Sequence, residues 1–310
     1  MRNIKYLLLT VCATLLLSAC GTTETVPITG RKHSISVSDA QVLSLANQEY
    51  TKYMASAKKS TNTANTAMVQ RVGKRLSSAV ENYLRNNGYA NELKNFSWEF
   101  NLVQDPSANA FCMPGGKIVV YEGLLPYTKT ETALAIVLGH EIAHAVAKHS
   151  AEQLSKQYRQ QIGTNVLGSV LNTAVGSGVG DLASSVAGQY FSFRNLKYSR
   201  DNETEADHMG LIFAAMAGYD PEEAIPFWQR MSSGNGNQND LFSDHPSDAK
   251  RIAALKKEMP EALKYYKAAG GTNPQPKTTK TLRISSSTKT TTTTKKSTTR
   301  KTATTSKRKR

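Results

Sequence analysis

The sequence predicts an α+β domain that is mostly helical, with a small β-sheet beside one long apolar helix. Between residues 38 and 270, apolar residues recur mainly at helical spacing, three or four positions apart. Two short stretches, 96–103 and 117–121, instead show the alternation or the β-branched composition of strands. The capping sequence Thr128-x-x-Glu131 precedes a long apolar run, which indicates the start of a buried helix.

The chain is predicted to begin with a signal peptide that is not part of the fold. Basic residues come first, and the apolar run that follows, 6–17, is too short to cross a bilayer comfortably. The run ends in Leu17-Ser18-Ala19-Cys20, which resembles the lipobox of bacterial lipoproteins. This resemblance implies that residues 1–19 are removed and that acyl chains on Cys20 anchor the protein in a membrane. An ordinary secretory signal is the alternative.

The remaining elements follow in order along the chain. Residues 20–37 are predicted to be a tether, and two amphipathic helices follow near 38–57 and 64–86. The two strands and a Pro-Gly-Gly turn between them then lead into the apolar helix, predicted at about 129–155. Residues 162–188 are apolar in tone but contain six Gly, so we expect a small-residue helical hairpin, with a membrane span as the alternative.

The net charge of +15 is mainly a property of the C-terminal tail. Residues 271–310 contain twelve Lys or Arg, fifteen Thr and no Asp or Glu, so they are predicted to be disordered. Such a tail can bind anionic surfaces, although a solvated tail without a partner is as good an interpretation. Specific nucleic-acid binding is disfavoured because the tail has no aromatic residues for base stacking. Once the signal is removed and Cys20 is lipidated, Cys112 remains alone and no intramolecular disulfide is possible.

The strongest chemical signal is the motif His140-Glu141-Ile142-Ala143-His144 within the apolar helix. Residues four positions apart share one face of a helix, with Cβ atoms about 5–6 Å apart, so the two imidazoles can bind one zinc ion. Glu141 flanks that metal and can take a proton from a bound water as a general base. A chance pair of satisfied helix histidines is the alternative interpretation of the motif.

A catalytic zinc needs a third protein ligand, and Glu203 is the best candidate. His149 is disfavoured because, on a continuous helix, it lies about 140° around the axis from His144. Glu203 and Asp207 share a face of a second predicted helix, so Glu203 can bind the metal while Asp207 accepts a hydrogen bond from a ligand histidine. Glu205 points away from Glu203 on this helix and is predicted to be solvated.

The HExxH motif followed by a distant Glu-x-x-x-Asp resembles the gluzincins, and further segments resemble the branch called peptidase family M48, which includes HtpX and the CAAX prenyl endopeptidases. The resemblance covers about residues 26–258 and implies a gluzincin-type domain, here 38–270, with one zinc ion. The lipobox makes the chain similar to periplasmic lipoprotein members of BepA or LoiP type, although it lacks a C-terminal helical-repeat domain. The segments that carry the resemblance are Asn109-Ala110-Phe111, Pro114-Gly115-Gly116-Lys117-Ile118, Gly123-Leu124-Leu125 and Ser199-Arg200-x-x-Glu203.

The resemblance also implies roles for residues outside the motif. It implies that the strand before the HExxH helix is the active-site edge that binds an extended peptide, although an interior strand is the alternative. It implies that His245 is a regulatory metal ligand or helps to polarise the scissile carbonyl, and from the residues alone a helix-capping role is equally plausible. Arg200 and Arg251 are candidates to brace carboxylates near the site. The strand residues are Gly116, Lys117, Ile118, Val119, Val120 and Tyr121.

Together these features predict a metalloendopeptidase that hydrolyses unfolded or misassembled envelope proteins, with zinc and Glu141 activating water. The expected location is a bacterial cell envelope, where lipid on Cys20 holds the protein on the periplasmic face, most simply of the outer membrane. The alternative function is a zinc-containing assembly chaperone or binding lipoprotein with little proteolysis. A closed site with four protein ligands would favour that alternative, because it leaves no position for water.

Overall fold

The computed structural model describes residues 22–171, 192–194, 196–233 and 249–271. Within these ranges the prediction of a mostly helical α+β domain with a small sheet is confirmed. Several predictions concern residues outside them: the signal peptide with Cys20, the part of the small-residue hairpin from 172 to 188, His245, and the basic tail beyond residue 271.

The described chain starts with a β-hairpin in the segment that was predicted to be a tether. Strands β1 (Thr22–Thr25) and β2 (Lys32–Ile35) pair antiparallel. The turn between them places both Ile28 and Gly30 at a φ of 68°. The expectation of a tether over residues 20–37 is therefore corrected. Each strand is only four residues long and mostly polar, which leaves too short a pattern to be seen in the sequence.

A three-stranded sheet and eight α-helices make up the rest of the described fold. The strands are β3 (Glu99–Val103), β4 (Ala110–Met113) and β5 (Lys117–Tyr121). The helices are α1 (Asp39–Ser56), α2 (Thr63–Asn86), α3 (Leu125–Thr128), α4 (Glu131–Val146), α5 (His149–Leu171), α6 (Arg200–Met216), α7 (Ala224–Ser233) and α8 (Ala249–Ala268). Short 3₁₀ turns lie at Ala90–Asn95, Glu122–Leu124 and Pro221–Glu223.

The strand order is β3-β5-β4, so β5 is the central strand of the sheet. It pairs parallel with β3 and antiparallel with β4. Strand β4 packs against α4, and all four of its residues are buried. The order arises because the chain makes a tight turn at Gly115 and Gly116 after β4, and β5 then inserts between β4 and the earlier strand β3.

The apolar helix predicted at 129–155 is broken into α4 and α5. The break is at Lys148, whose φ of 53° lies in the left-handed region and cannot continue a helix. Three carboxylates hold its ammonium group at 2.8–3.1 Å, those of Glu24, Asp39 and Glu92. Burial alone would lower the pKa of Lys148, but these hydrogen bonds and charges raise it above its ordinary value. The turn at Lys148 is therefore stabilised by residues that are far from it in the sequence.

The hydrophobic core lies where α2, α4 and α6 pack together and against the sheet. Helix α4 is the centre of this arrangement, because nearly all of its residues are buried. Its polar residues are thereby enclosed, including the HExxH histidines. Among the described residues, no helix is both long enough and apolar enough to span a membrane.

Candidate metal centre

The structure brings His140, His144 and Glu203 together in the buried region between α4 and α6. The two Nε2 atoms of the histidines are 3.1 Å apart. The Glu203 carboxylate lies 3.4 Å from each of them, through Oε2 to His140 and Oε1 to His144. All three residues are buried and form a group whose ligand atoms could hold one metal ion.

These distances fit a tetrahedral zinc ion. Zinc binds imidazole nitrogen and carboxylate oxygen at about 2.0–2.2 Å, which places ligand atoms about 3.3–3.5 Å apart on the edges of a tetrahedron. The three observed separations, 3.1, 3.4 and 3.4 Å, are close to that edge length. Two imidazoles and one carboxylate are a ligand set typical of catalytic zinc, which keeps a fourth position for water.

Asp207 and Arg251 support the ligand His140. Asp207 Oδ1 lies 2.9 Å from His140 Nδ1, and Arg251 Nη2 donates to the same carboxylate oxygen at 2.5 Å. The Arg251 guanidinium is buried and stacks 3.4 Å from the centroid of the Trp228 ring. Asp207 therefore lies where it can orient the ring of His140, as the prediction for Asp207 requires.

The two ligand histidines differ in their affinity for protons. For His140, burial and the nearby Arg251 charge lower the pKa, but hydrogen bonds to Asp207 and Glu203 outweigh them and raise it to about 9. For His144, burial dominates and lowers the pKa well below its ordinary value. A proton therefore competes with a metal ion more strongly at His140 than at His144.

His149 lies directly behind His144, contrary to the helical-wheel argument that placed it elsewhere. Because the chain turns at Lys148, His149 starts a new helix, and its Nδ1 lies 2.9 Å from Nδ1 of His144. Tyr198 covers the His144 ring in a stacked arrangement, with ring centroids 4.1 Å apart. His149 is therefore not a metal ligand in this geometry, but it touches one.

The prediction that Glu205 is solvated is wrong. Only 8% of Glu205 is exposed, and its carboxylate lies 2.9 Å from His149 Nε2. Burial raises the pKa of Glu205, but hydrogen bonds from His149, Arg31 and Thr29 outweigh burial and lower it to about 2. The helical wheel placed Glu205 correctly on a different face from Glu203, but that face is covered by His149 and by the N-terminal hairpin.

Glu141 lies on α4 beside the ligands, and it is buried with 2% exposure. Its negative charge affects the pKa of two neighbouring side chains, Cys112 and Tyr198. Burial, and then the Glu141 charge, raise the pKa of the Cys112 thiol on β4. Burial also raises the pKa of Tyr198, and the Glu141 charge contributes to that rise. This position suits a general base at the metal, and that role stays a prediction.

A pair of glycines sets the distance between the helices that carry the ligands. A Cβ atom on Gly139 of α4 would lie 2.6 Å from the Gly210 carbonyl oxygen, and one on Gly210 would lie 2.6 Å from the His140 nitrogen. Both distances are far below van der Waals contact with backbone atoms, which cannot rotate away. Only glycine at these positions lets α6 bring Glu203 to the two histidines.

Gly210→Ala is therefore expected to push α6 away from α4, lower zinc affinity at least about 10-fold and destabilise the fold by about 1–3 kcal/mol. Isothermal titration of zinc and thermal unfolding measure the two effects. Gly88→Ala is the control, because Gly88 has a φ of 87° but nothing within 4 Å of its Cβ position. Gly88→Ala is expected to lower the stability of the protein without changing its zinc affinity. Normal zinc affinity in Gly210→Ala would contradict the spacing role.

The two arginines predicted to brace carboxylates near the site differ in their position. Arg200 is exposed at the start of α6, and Arg251 supplies the guanidinium that contacts the site carboxylates. A second group consists of His208 on α6 with Glu258 and Glu261 on α8, and it is partly exposed. His208 Nε2 lies 3.1 Å from Glu261 and 3.7 Å from Glu258.

The predicted substrate strand, residues 116–121, is corrected by the sheet order. Strand β5 is hydrogen-bonded on both sides and has no edge for a peptide. The outer edge of β3 is bridged at its last residue, Val103, by Lys59. Among the described residues, no strand pairs with the outer edge of β4, which is the strand beside α4. The sequence predicted strands at 96–103 and 117–121 but not β4, the strand that lies at the edge beside α4.

This fold and this site are those of a metallopeptidase domain of the HExxH class, in which a carboxylate from a second helix is the candidate third ligand. Residues 63–259 match the model of peptidase family M48, and the chain belongs to that family. This agrees with the resemblance inferred from the motifs.

Known relatives extend the comparison. The chain is 33% identical to the mitochondrial metalloendopeptidase OMA1 of Schizosaccharomyces pombe over 55% of the chain and 49% of the relative. It is 29% identical to the human mitochondrial metalloendopeptidase OMA1 over 78% of the chain and 47% of the relative. The chain thus spans about half the length of these relatives. These relatives are named as metalloendopeptidases and the family is one of peptidases, which agrees with the predicted class of enzyme.

The comparisons correct two finer predictions. The β-barrel assembly-enhancing protease of Yersinia pestis is 28% identical over 53% of the chain and 36% of its own length, so a special similarity to BepA or LoiP type members is not supported. The predicted location at a bacterial outer membrane is contradicted, because the OMA1 relatives from yeast, plant and animal sources are named as mitochondrial enzymes.

Proposed function

We propose that this chain is a zinc-dependent endopeptidase that cleaves extended segments of unfolded or misassembled proteins. The observation that carries the proposal is the triangle of ligand atoms from His140, His144 and Glu203, with edges of 3.1–3.4 Å, beside the buried Glu141. A structural zinc would need a fourth protein ligand, and the described residues supply three at this position.

The residues of the chain divide the chemical work between them. When bound, zinc supplies an acidified water and polarises a carbonyl group. His140, His144 and Glu203 hold the ion, and Asp207 with Arg251 fixes the orientation of His140. Glu141 takes the proton from the attacking water and returns it to the leaving amine. Helix α4 and its neighbours exclude bulk water from the site, since all of these side chains are buried.

The edge of β4 supports the choice of an extended substrate. Strand β4 lies against α4, and its outer edge has no strand partner among the described residues. A peptide that adds to this edge by backbone hydrogen bonds must be extended, and a folded domain cannot present such a segment. Recognition through the backbone also tolerates many side-chain sequences, which suits a protease of unfolded chains.

The test compares one substrate in two states. Purified zinc-loaded protein is expected to cleave reduced, alkylated lysozyme and casein, and to leave native lysozyme intact because its backbone is already paired. 1,10-Phenanthroline should stop cleavage and added zinc should restore it. Cleavage that is equal for native and unfolded lysozyme would contradict the edge-strand proposal. Stoichiometric zinc without any cleavage would contradict the peptidase and favour the chaperone alternative.

A further inference from the structure

The N-terminal hairpin lies outside the residues matched by the family model, and it makes partly buried contacts with the helix that carries the candidate third ligand. Thr29 Oγ1 donates to Glu205 Oε1 at 2.5 Å, and Arg31 Nε donates to Glu205 Oε2 at 2.8 Å. Arg31 Nη2 also reaches Glu152 at 2.9 Å. Glu205 is thus held by two residues of one turn, on the side away from the metal.

Glu205 in turn is connected to the ligand His144 through His149. Glu205 Oε2 lies 2.9 Å from His149 Nε2, and His149 Nδ1 lies 2.9 Å from His144 Nδ1. His149 has no exposed surface, so water does not compete for these contacts. A continuous path of three hydrogen bonds therefore runs from Arg31 to a metal-binding imidazole.

The order of donors along this path fixes the tautomer of His144. An ionised Glu205 only accepts hydrogen bonds, so His149 must carry its proton on Nε2. The ring of a neutral His149 then has an acceptor at Nδ1, which requires a proton on Nδ1 of His144. The lone pair of His144 is left on Nε2, the atom that faces His140 and Glu203. This is the form that binds a metal.

The arrangement around His140 is similar to the one around His144. There Asp207 lies directly against the imidazole, and Arg251 donates to Asp207. Around His144, the corresponding carboxylate is Glu205 and the corresponding guanidinium is Arg31, with His149 inserted between. Each ligand histidine thus has its own carboxylate and arginine, and one of these arginines comes from the hairpin.

The turn that presents Thr29 and Arg31 is conformationally unusual. Ile28 has a φ of 68°, a left-handed value that is strained for a β-branched residue. The Val26 nitrogen donates to the Arg31 carbonyl oxygen at 2.8 Å, which closes the turn. The buried Val26 fixes the turn on the core. Strain of this kind persists only where surrounding contacts impose it, here beside the path to the metal.

We propose that the hairpin is a working part of the metal site, in which Arg31 is a positioning residue that sets His144 for zinc through Glu205 and His149. The proposal concerns the zinc site of the proposed function and does not require proteolysis. The measurement that tests the proposal is zinc affinity, so the proposal can fail or succeed independently of cleavage assays.

The experiment measures zinc affinity by competition with a chelator in the full chain. Arg31→Met is expected to lower zinc affinity about 10- to 100-fold, the range typical for outer-shell partners of a metal ligand. Thr29→Val, which removes one donor to Glu205 and keeps the side-chain volume, should give a smaller loss in the same direction. Unchanged zinc affinity in Arg31→Met would overturn the proposal.

Arg159→Met is the matched control for a role that is merely structural. Arg159 donates from α5 to the end of the same hairpin, with Nη1 2.8 Å from Ser36 Oγ and 3.4 Å from the Ser34 carbonyl oxygen. These hydrogen bonds do not involve Glu205 or His149. Arg159→Met should lower thermal stability of the metal-free protein about as much as Arg31→Met and leave zinc affinity within about 2-fold. Equal losses of zinc affinity in the two arginine variants would show that the hairpin only supports the fold.

A double-mutant cycle tests the path itself. His149→Gln breaks the path at its centre, so adding Arg31→Met should lower zinc affinity little further. If the two fold-changes instead multiply, Arg31 acts independently of His149 and the proposed path is wrong. Where His149→Gln does not fold, the cycle is run with Glu205→Gln, for which the same result is expected.

Discussion

Replacing Glu141 with glutamine is expected to leave zinc bound and to reduce peptide hydrolysis by about 10²- to 10⁴-fold, the contribution typical of a general base. Glutamine has nearly the same volume as glutamate, so the buried pocket and the three ligands are kept. It cannot accept the proton of the attacking water at neutral pH. Zinc content by mass spectrometry and cleavage of unfolded lysozyme give the two readouts from one sample.

Glu131→Gln is the control for this variant. Glu131 lies on the first turn of the same helix, where it pairs with Arg71 at the surface, far along the helix from the motif. The control should keep both zinc and activity. Hydrolysis at more than a tenth of the normal rate in Glu141→Gln would assign the base to another residue.

Replacing Glu203 with alanine is expected to remove most of the bound zinc. Two imidazoles would remain, and catalytic zinc sites need three protein ligands. The loss of zinc affinity should exceed the roughly 10- to 100-fold effect expected for outer-shell partners such as Arg31. Hydrolysis falls with zinc occupancy, and excess zinc restores it only in part.

Asp201→Ala provides the comparison on the same helix. Asp201 is an exposed carboxylate on the first turn of α6, so its removal takes away one negative charge near the site without a ligand. Its zinc affinity should stay close to that of the unmodified chain. If Glu203→Ala binds zinc as tightly as Asp201→Ala does, Glu203 is not a ligand.

The two kinds of variant separate binding from chemistry. Glu141→Gln should retain the metal and lose the reaction, whereas Glu203→Ala should lose the metal and the reaction together. Arg31→Met should lie between them, with weakened metal binding and with activity that returns at high zinc. This ordering follows from where each side chain lies relative to the proposed metal ligands. Glu203 is one of them, Glu141 lies beside them, and Arg31 is connected to the ligand His144 through three hydrogen bonds.

Local sequence patterns were sufficient for the parts of the site that lie on one helix face. Four-residue spacing puts His140 and His144 on one side of α4, and it puts Glu203 and Asp207 on one side of α6. Helical geometry imposes these relations whatever surrounds the helix. The mostly helical α+β class was equally accessible, because apolar periodicity is a local property.

Local patterns failed where a distant element decides what covers a face. Helical geometry placed Glu205 on a different face of the helix from Glu203. Only the tertiary structure brings Arg31 and His149 to Glu205 and buries this residue. His149 lies where a continuous helix would not place it, because the helix breaks at Lys148. That break depends on three carboxylates from other elements.

The order of the strands was likewise decided by the tertiary structure. The sequence predicted a strand just before the HExxH helix, and this strand is β5. Because β5 inserts between β3 and β4, the edge beside α4 belongs to β4. By itself the sequence identified the candidate metal-binding residues, the family and the helical framework, since each of these depends on spacing along the chain. The tertiary structure decided which carboxylates are buried, which strand is the edge and which arginines support each histidine, because those depend on contacts between segments far apart in sequence.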